Sequence, residues 1–322
     1  MMQGPRVSDS AAGPASDTPS AAEDALSHTV TIAPTDNLDS RPMSPSRRLW
    51  TRFRRQTLGL IALGFLLCVL LVALIGPFLA PHAPDAQDLR NAYAPMGSPG
   101  HLFGTDQFGR DVLSRLIDAT RVSVWAAVVA LTVAALVGVP IGLIAGYRRG
   151  RLEVIAVQVA DALMSFPSLI LAVAIVAIRG PGLTNAMIAV GVTIAPRLFR
   201  LVRGTVISVR EDTYVEAARS IGTPTTALIR WHILPNVMQP LIVQLSLYAA
   251  YAMLAEASLS YLGLGVQAPQ ASWGSMLNEG SGVLALAPHL VIPPGIAIAL
   301  TVLSLNVLGD ALRDSLGREV RS

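Results

Sequence analysis

The residue types that carry most enzyme chemistry are scarce in this 322-residue chain. Every one of its 24 Lys+Arg residues is Arg, so a phosphate-binding loop that needs lysine and Schiff-base chemistry are both excluded. The one cysteine, Cys68, lies in an apolar run and has no partner for an internal disulfide. The histidines lie far apart and never at metal-ligand spacing: His28, His82, His101, His232 and His289. We therefore expect no catalytic residue, no metal site and no cofactor site in this chain.

Polar residues inside apolar runs are the remaining candidates for chemistry. Asp161, Ser165 and Ser168 are spaced to share one face of a helix, with Pro167 predicting a kink beside them. A carboxylate at the middle of a membrane helix costs roughly 2.5–3.5 kcal/mol, so such a side chain should face protein or water. The other polar residues in or near apolar runs are Gln244, Tyr248, Tyr251, Glu256, Ser258 and Asn306. They could line a translocation path or form hydrogen bonds between helices, and both alternatives stay open.

The composition favours lipid as the main environment of these residues. Hydrophobic residues make up 52% of the sequence and charged residues 14%, with a mean hydropathy of +0.54. Soluble domains carry roughly 25% charged residues. Residues 1–46 differ, being rich in Ser, Ala, Pro and Asp, and we expect a disordered cytoplasmic tail there. Residues 47–322 are then a transmembrane domain, and its first apolar run is too long for the core of a signal peptide.

The apolar runs predict an all-α polytopic membrane protein with six transmembrane helices. Each run is close to the roughly 20 residues that a bilayer requires. The predicted spans are residues 58–79, 122–146, 154–178, 183–202, 240–262 and 290–308. Most arginines flank the side on which both termini would lie, which places both termini in the cytoplasm. Arg197 and Arg200 would then reach the interface from the inner end of the fourth span.

Two segments between the spans carry most of the remaining charge. On the predicted outer side, Asp106, Arg110, Asp111 and Arg115 suggest a polar helix leading into the second span. Such a helix could be a solvated surface or a contact for an external protein, and the residues do not decide between the two. On the cytoplasmic side, the segment 208–236 is unusually long for a simple connection.

The segment 208–236 predicts two short helices joined at a glycine. Asp212 or Thr213 can cap the first helix, and Gly222 stands where a left-handed residue would end it. Thr223 and Pro224 can start a second short helix, which we expect to end at Leu234-Pro235. Small residues and charged edges suit this elbow to docking in a groove of another protein. An amphipathic connector lying on the membrane surface is the alternative.

Four sequence blocks resemble one family of membrane proteins. Glu216-Ala217-Ala218, followed by Gly222 and Ile233-Leu234-Pro235, resembles the EAA loop of binding-protein-dependent ABC importer permeases. The other blocks are residues 101–115, residues 256–276 and residues 303–314. Together they resemble the C-type permease of dipeptide and oligopeptide importers over roughly residues 50 to 316.

This resemblance implies the type I permease fold, a five-helix core with one extra amino-terminal helix, and a bacterial inner-membrane location. It implies a homologous B-type permease, two cytoplasmic ATPases that bind ATP and Mg²⁺, an extracytoplasmic peptide-binding protein and surrounding lipid as partners, with no nucleic acid. The segment from Glu216 to Pro235 would form the coupling helices that dock on the ATPases. The implied docking residues are Glu216, Ala217, Ala218, Arg219, Gly222, Arg230, Ile233, Leu234 and Pro235.

The resemblance implies that the chain is a pore-forming subunit that imports dipeptides or oligopeptides and does not itself hydrolyse ATP. Relatives in the same family that carry nickel or glutathione are alternatives for the cargo. A stand-alone secondary transporter is the alternative from another class. Glu256, near the outer end of the fifth span, could belong to a gate or to a contact between the two permeases.

Overall fold

The structure, a computed structural model, describes residues 50–316. The tail predicted for residues 1–46 lies outside that range, as do residues 317–322. The main helices are α1 (Thr57–Leu79), α2 (Val112–Arg148), α3 (Arg151–Met164), α4 (Ser168–Arg179), α5 (Leu183–Arg210), α6 (Thr213–Ser220), α7 (Thr225–Tyr261), α8 (Trp273–Ser281) and α9 (Ile292–Leu316). Five of the described helices are long and apolar enough to cross a bilayer, and the bent pair α3–α4 can supply a sixth span. The predicted all-α, multi-span fold class is confirmed.

A row of small residues lets α2 and α5 pack closely at the centre of the fold. Gly138, Gly142 and Gly146 recur every four residues on α2, in line with fully buried Ala130 and Ala134. A Cβ atom at position 138 would lie only 2.7 Å from the carbonyl oxygen of Ala195 on α5. Small residues at such spacing allow membrane helices to approach at backbone distance, where van der Waals packing stabilises the pair.

The predicted third span is two helices instead of one. α3 and α4 meet at an angle of 93°, with the break at Ser165–Pro167. Proline cannot donate a backbone hydrogen bond and disfavours helical geometry in the residue before it, so the chain turns here rather than kinking slightly. Asp161 and Ser168 therefore lie on different helices, and the polar face predicted for Asp161, Ser165 and Ser168 does not exist.

The second arm of the elbow and the fifth span are one continuous helix, α7, contrary to the predicted end at Leu234-Pro235. A π-helical turn at Ile229–Ile233 comes just before Pro235, and the amide of Leu234 donates to the carbonyl of Ile229, five residues earlier. A π turn changes the hydrogen-bond register, and the helix continues past Pro235, whose nitrogen donates no hydrogen bond. The elbow is thereby joined rigidly to a span.

The polar helix predicted before the second span is mostly a set of turns. α2 begins at Val112, and the Asp111 side chain caps it by accepting from the Ser114 amide at 2.8 Å. Gly104 and Gly109 have positive φ angles of 77° and 70°, which interrupt any helix there. Asp106 and Arg110 consequently lie in the turns, and Arg115 lies in the first turn of α2.

Candidate functional site

The elbow, residues 208–236, has α6 as its first arm and the start of α7 as its second. Gly222 adopts a φ of 83°, in the left-handed region predicted for it. The Gly222 amide donates to the carbonyl of Arg219 at 3.0 Å, and the Thr223 amide donates to the carbonyl of Ala218 at 3.2 Å. These bonds close the end of α6 in the manner of a glycine C-cap, so the turn between the arms has a defined geometry.

A small apolar cluster holds the two arms together from inside. Val215 and Ala218 on α6 pack against Leu228 on α7, with Val209 of α5 beneath them. Ala218 is 8% exposed and Ile233 is fully buried. Both were predicted to dock on another protein; their side chains pack inside the elbow and not on its surface, and their docking role stays a prediction. Leu234 is half-buried.

The rest of the predicted docking set lies on the surface of the elbow. The exposed members are Glu216, Ala217, Arg219, Gly222, Arg230 and Pro235. Three large side chains join them that the sequence reasoning missed: Ile221, Trp231 and Tyr214 are 84%, 68% and 44% exposed. Two features of the sequence could have predicted this exposed surface: Ile221 precedes the helix-ending Gly222, and Trp231 follows Arg230. The Arg230 guanidinium lies 5.2 Å from the Trp231 ring centre.

Polar contacts fix the angle between the arms. The Asn236 side-chain amide donates to the Tyr214 hydroxyl at 2.9 Å and to the carbonyl of His232 at 2.7 Å. The Tyr214 and His232 rings stack with centres 6.2 Å apart. Burial and the neighbouring Asp212 carboxylate raise the pKa of the Tyr214 hydroxyl, so it stays neutral and able to donate as well as accept.

A second set of contacts joins the elbow to the loop after α2. Arg210 donates to the carbonyl of Tyr147 at 2.6 Å, and Arg149 forms an ion pair with Glu211 at 2.6 Å. The Arg219 guanidinium lies 6.0 Å from the Tyr147 ring centre. The elbow is therefore attached both to α5 and α7 and to the carboxyl end of α2.

Four of the nine predicted polar residues of the spans form contacts between helices. Asp161 on α3 forms an ion pair with Arg200 on α5, and Glu153 pairs with Arg203 one turn further along. Arg200, expected to reach the interface, is paired with a carboxylate while its side chain stays 47% exposed. Ser165 only donates to the carbonyl of Ala162 at the end of α3. Asp161 thus helps to attach α3 to α5.

The predicted polar residues of the third and fifth spans do meet. The Tyr251 hydroxyl on α7 donates to the Ser168 hydroxyl on α4 at 2.6 Å, and Arg197 lies 5.7 Å from the Tyr251 ring centre. Gln244 and Tyr248 share a hydrogen bond one turn apart on α7. Ser258 donates to the carbonyl of Leu254, and Asn306 is half-buried on α9. The positions of these residues are compatible with hydrogen bonds between helices and also with the lining of a translocation path.

Glu256 lies inside the chain and not on a surface where a second subunit could contact it. It is 1% exposed and accepts a hydrogen bond from the Ser260 hydroxyl at 2.7 Å. Ser123 on α2 and Ser272 before α8 also hydrogen-bond to it. The suggested contact between two permeases is therefore wrong for this side chain, which instead joins α2, α7 and α8.

The charged residues before α2 form a buried network at the end of that helix opposite the elbow. Arg110, 5% exposed, binds Asp106 at 2.6 Å and Glu279 at 3.2 Å. Arg115, 2% exposed, lies 3.4 Å from Glu279 and 3.7 Å from both Asp106 and Asp85. Neither predicted alternative, a solvated helix or an exposed contact, describes them. Glu279 was missed because nothing near it in sequence suggests its partners.

Asp111 sits beside this arginine network but has partners of its own. His101 lies 2.9 Å from its carboxylate, and the Ser114 hydroxyl donates to it at 2.7 Å. Burial alone raises the pKa of the Asp111 carboxyl, but the hydrogen bonds from Ser114 and His101 outweigh burial and lower that pKa. The carboxylate is therefore ionised at neutral pH.

The sequence matches two family models. Residues 138–322 match the binding-protein-dependent transport system inner membrane component, and residues 44–95 match the N-terminal transmembrane domain of oligopeptide transport permease C.

Relatives match over most of their length. The glutathione transport system permease protein GsiD of Pectobacterium atrosepticum is 37% identical over 284 residues, which cover 88% of this chain and 94% of the relative. GsiD of Salmonella typhimurium is 38% identical over 299 residues, covering 92% and 97%. A Brucella abortus protein provisionally named a peptide transport system permease protein is 39% identical over 280 residues, covering 87% and 93%.

The fold matches that of a solved transporter. An inward-facing structure of the MetNI methionine ABC transporter superposes with a TM-score of 0.52, at 17% sequence identity, over 62% of this chain and 96% of that chain. At this identity the match concerns the fold alone, and it is the fold of an ABC importer permease.

Proposed function

Because the chain belongs to the family of binding-protein-dependent transport system inner membrane components, we propose that it is the pore-forming C-type subunit of an ABC importer for dipeptides and oligopeptides. It is a multi-pass permease embedded in a membrane. In our proposal the membrane is the bacterial inner membrane, both termini are cytoplasmic, and a homologous B-type permease completes the pore.

The elbow is the observation that carries this proposal. Its arms are fixed by a buried cluster, a capped glycine turn and the hydrogen bonds of Asn236, while Ile221 and Trp231 stay on the surface. Large apolar side chains exposed on a rigid support are typical of a surface that another protein covers. A stand-alone transporter would have no use for such a surface.

The occupant that we propose for this surface is the pair of cytoplasmic ATPases, which bind the ATP and Mg²⁺ that this chain has no loop to bind. Glu216, Arg219 and Arg230 lie exposed around the apolar side chains and would select the partner by charge. The ATPases can shift the permease between inward- and outward-open states only if they hold the elbow differently in their two nucleotide states. The continuous helix α7 then carries the movement into the span.

Peptides are the proposed cargo, and glutathione is the second candidate. The family description of residues 44–95 names oligopeptide transport, and the two GsiD relatives described above are named for glutathione. Glutathione is itself a tripeptide, so both cargoes present amide groups and free carboxylates to a binding protein. The extracytoplasmic binding protein would make most of the choice between them.

Reconstitution tests both parts of the proposal. The chain would be purified with the ATPases and sister permease that accompany it, placed in liposomes, and supplied with its binding protein and ATP. We expect ATP-dependent uptake of a labelled dipeptide or tripeptide, and none by the purified chain alone. Uptake by the single chain would refute the subunit assignment, whereas uptake of glutathione in preference to other peptides would change only the cargo.

A further inference from the structure

Three side chains with metal-binding atoms converge at the end of α2 opposite the elbow. His82 follows α1, His101 lies in the loop before α2, and Asp111 caps α2. One ligand atom from each lies within 4.8 Å of the others. The sequence predicted no metal site because its histidines are widely spaced, but the fold removes that spacing by bringing the end of α1 beside the start of α2.

The distances are close to those of ligands on one ion. The His101 Nδ1 atom lies 2.9 Å from Asp111 Oδ1, and the His82 Nδ1 atom lies 3.9 Å from Asp111 Oδ2. An ion about 2.1 Å from each of two ligand atoms holds those atoms roughly 3–4 Å apart. The imidazole rings of His82 and His101 have centres 5.0 Å apart, and one ligand atom of each lies within 4.8 Å of the other.

We propose that His82, His101 and Asp111 bind a divalent transition-metal ion of the first row, with Zn²⁺ as its simplest representative. Two imidazole nitrogens and one carboxylate oxygen suit these ions and not Mg²⁺ or Ca²⁺, which take oxygen ligands. His82 is 42% exposed, so its ring is free to close on the ion, and water fills the remaining coordination positions.

The surroundings hold the ligands in place. Asp111 is 2% exposed, and both the amide and the hydroxyl of Ser114 donate to its Oδ2 atom, which leaves Oδ1 directed at His101. The Ser114 hydroxyl also accepts a hydrogen bond from the His82 amide at 3.1 Å, which fixes the backbone at His82. Hydrogen bonds of this kind orient ligands and strengthen metal binding. The bound ion would join three segments of the chain that are otherwise connected through loops.

The test uses the full chain in detergent, purified with an affinity tag free of histidine, and Zn²⁺ as the probe. Zn²⁺ should bind by titration calorimetry with one site per chain and should raise the thermal unfolding temperature, because an ion that binds only the folded state stabilises it. His82→Gln and His101→Gln should each weaken binding by about tenfold or more, given that loss of a group that merely supports a ligand costs roughly that much. Co²⁺ in place of Zn²⁺ should give an absorption spectrum that both variants alter.

His289→Gln is the matched control. His289 lies at the same end of the molecule, next to the Thr105 carbonyl, but outside the cluster. It should bind Zn²⁺ as the unaltered chain does. Absence of saturable Zn²⁺ binding by the full chain would overturn the proposal, as would equal affinity in all variants or equal loss in His289→Gln. Because His82→Gln changes a side chain that is 42% exposed and leaves the backbone amide that bonds Ser114, it should unfold at the same temperature as the parent when no metal is present, which keeps a binding loss separate from misfolding.

Discussion

The charged residues at the two ends of α2 differ in their burial and in their partners. At the arginine network, Asp106, Arg110 and Arg115 are buried and bound to one another and to Glu279. At the elbow, Arg219 and Arg230 are exposed and lie over aromatic rings, and Ile221 stands almost fully in solvent. At the arginine network the charged groups pair with one another inside the chain, whereas at the elbow Arg219 and Arg230 lie on the surface.

This difference separates rigidity from recognition. A buried charge network is costly to disturb, so the arginine network should stabilise the positions of α2 and α8 and contribute little to choosing partners. Exposed side chains on the rigid elbow contribute little to the stability of the fold and can contribute much to the binding of a partner protein. Substitutions at the two ends should therefore change different measured quantities.

Asp106→Ala should have the largest effect, and that effect is on stability. The change removes the nearest carboxylate of buried Arg110 and one of the carboxylates around buried Arg115, and removing one partner of a buried pair costs about 3–5 kcal/mol. Thermal or denaturant unfolding in detergent measures the loss. Asp106→Asn, which keeps the shape of the side chain, should lose less, and an unfolding curve unchanged by both variants would show that the network does not stabilise the fold.

Gly222→Pro should abolish uptake while the protein still inserts in the membrane. Proline fixes φ near −65°, and a mismatched proline costs about 3 kcal/mol or more, whereas Gly222 has a φ of 83°. A Cβ at this position would meet no atom within 4 Å, so the effect would come from the backbone angle and from loss of the amide that donates to the Arg219 carbonyl. Peptide uptake by the reconstituted complex is the measurement.

Gly222→Ala and Gly204→Ala form the matched pair for that experiment. Alanine at position 222 should reduce uptake partially, since a left-handed residue with a Cβ costs about 1–2 kcal/mol. Alanine at position 204, within α5 and also without a neighbour inside 4 Å, should leave uptake intact. Full uptake by Gly222→Pro would contradict the coupling role of the elbow.

Ile221→Ser should weaken binding of the ATPases with no change in stability. The side chain is 84% exposed, so its loss costs the fold little, while an apolar contact covered by a partner is commonly worth enough to weaken binding by roughly tenfold. Retention of the ATPases on the purified permease measures the effect. Leu102→Ser, at a residue 64% exposed beyond the other end of α2, is the control and should retain them. Equal retention in both variants would favour the membrane-surface connector.

Arg149→Ala should have the smallest effect. The Arg149–Glu211 pair is 44% and 64% exposed at its two side chains, and pairs of this kind contribute roughly 0–1 kcal/mol. A double-mutant cycle with Glu211→Ala should give a coupling free energy in that range. A coupling free energy as large as the loss of stability in the Asp106 variants would contradict the difference between the two ends of α2.

Local signals were sufficient to predict much of the elbow. Gly222 and Pro224 determine the backbone geometry of the residues next to them, so the turn and the arm α6 could be predicted from the sequence. The continuation of α7 through Pro235 could not, because a π turn depends on hydrogen bonds that no residue type specifies. The break at Pro167 was foreseen as a kink, but its 93° angle depends on how α3 packs on α5.

The far end of α2 could not be predicted in the same way. Glu279 lies far along the chain from Arg110 and Arg115, and its own neighbours give no sign of buried arginines. His82 and His101 are likewise joined by packing and not by spacing. The apolar spans were predictable because the bilayer requires a fixed length of apolar chain, whereas polar clusters depend on which helix ends meet.

The continuity of α7 has a mechanical consequence. Its 37 residues form a rod about 55 Å long at 1.5 Å per residue. A tilt of roughly 10° about the middle of such a rod moves its two tips by about 5 Å in opposite directions. A small displacement of the arm beside Gly222 thus produces a displacement of similar size, in the opposite direction, at the other end of α7. The movement needs no separate connecting segment between the elbow and the span.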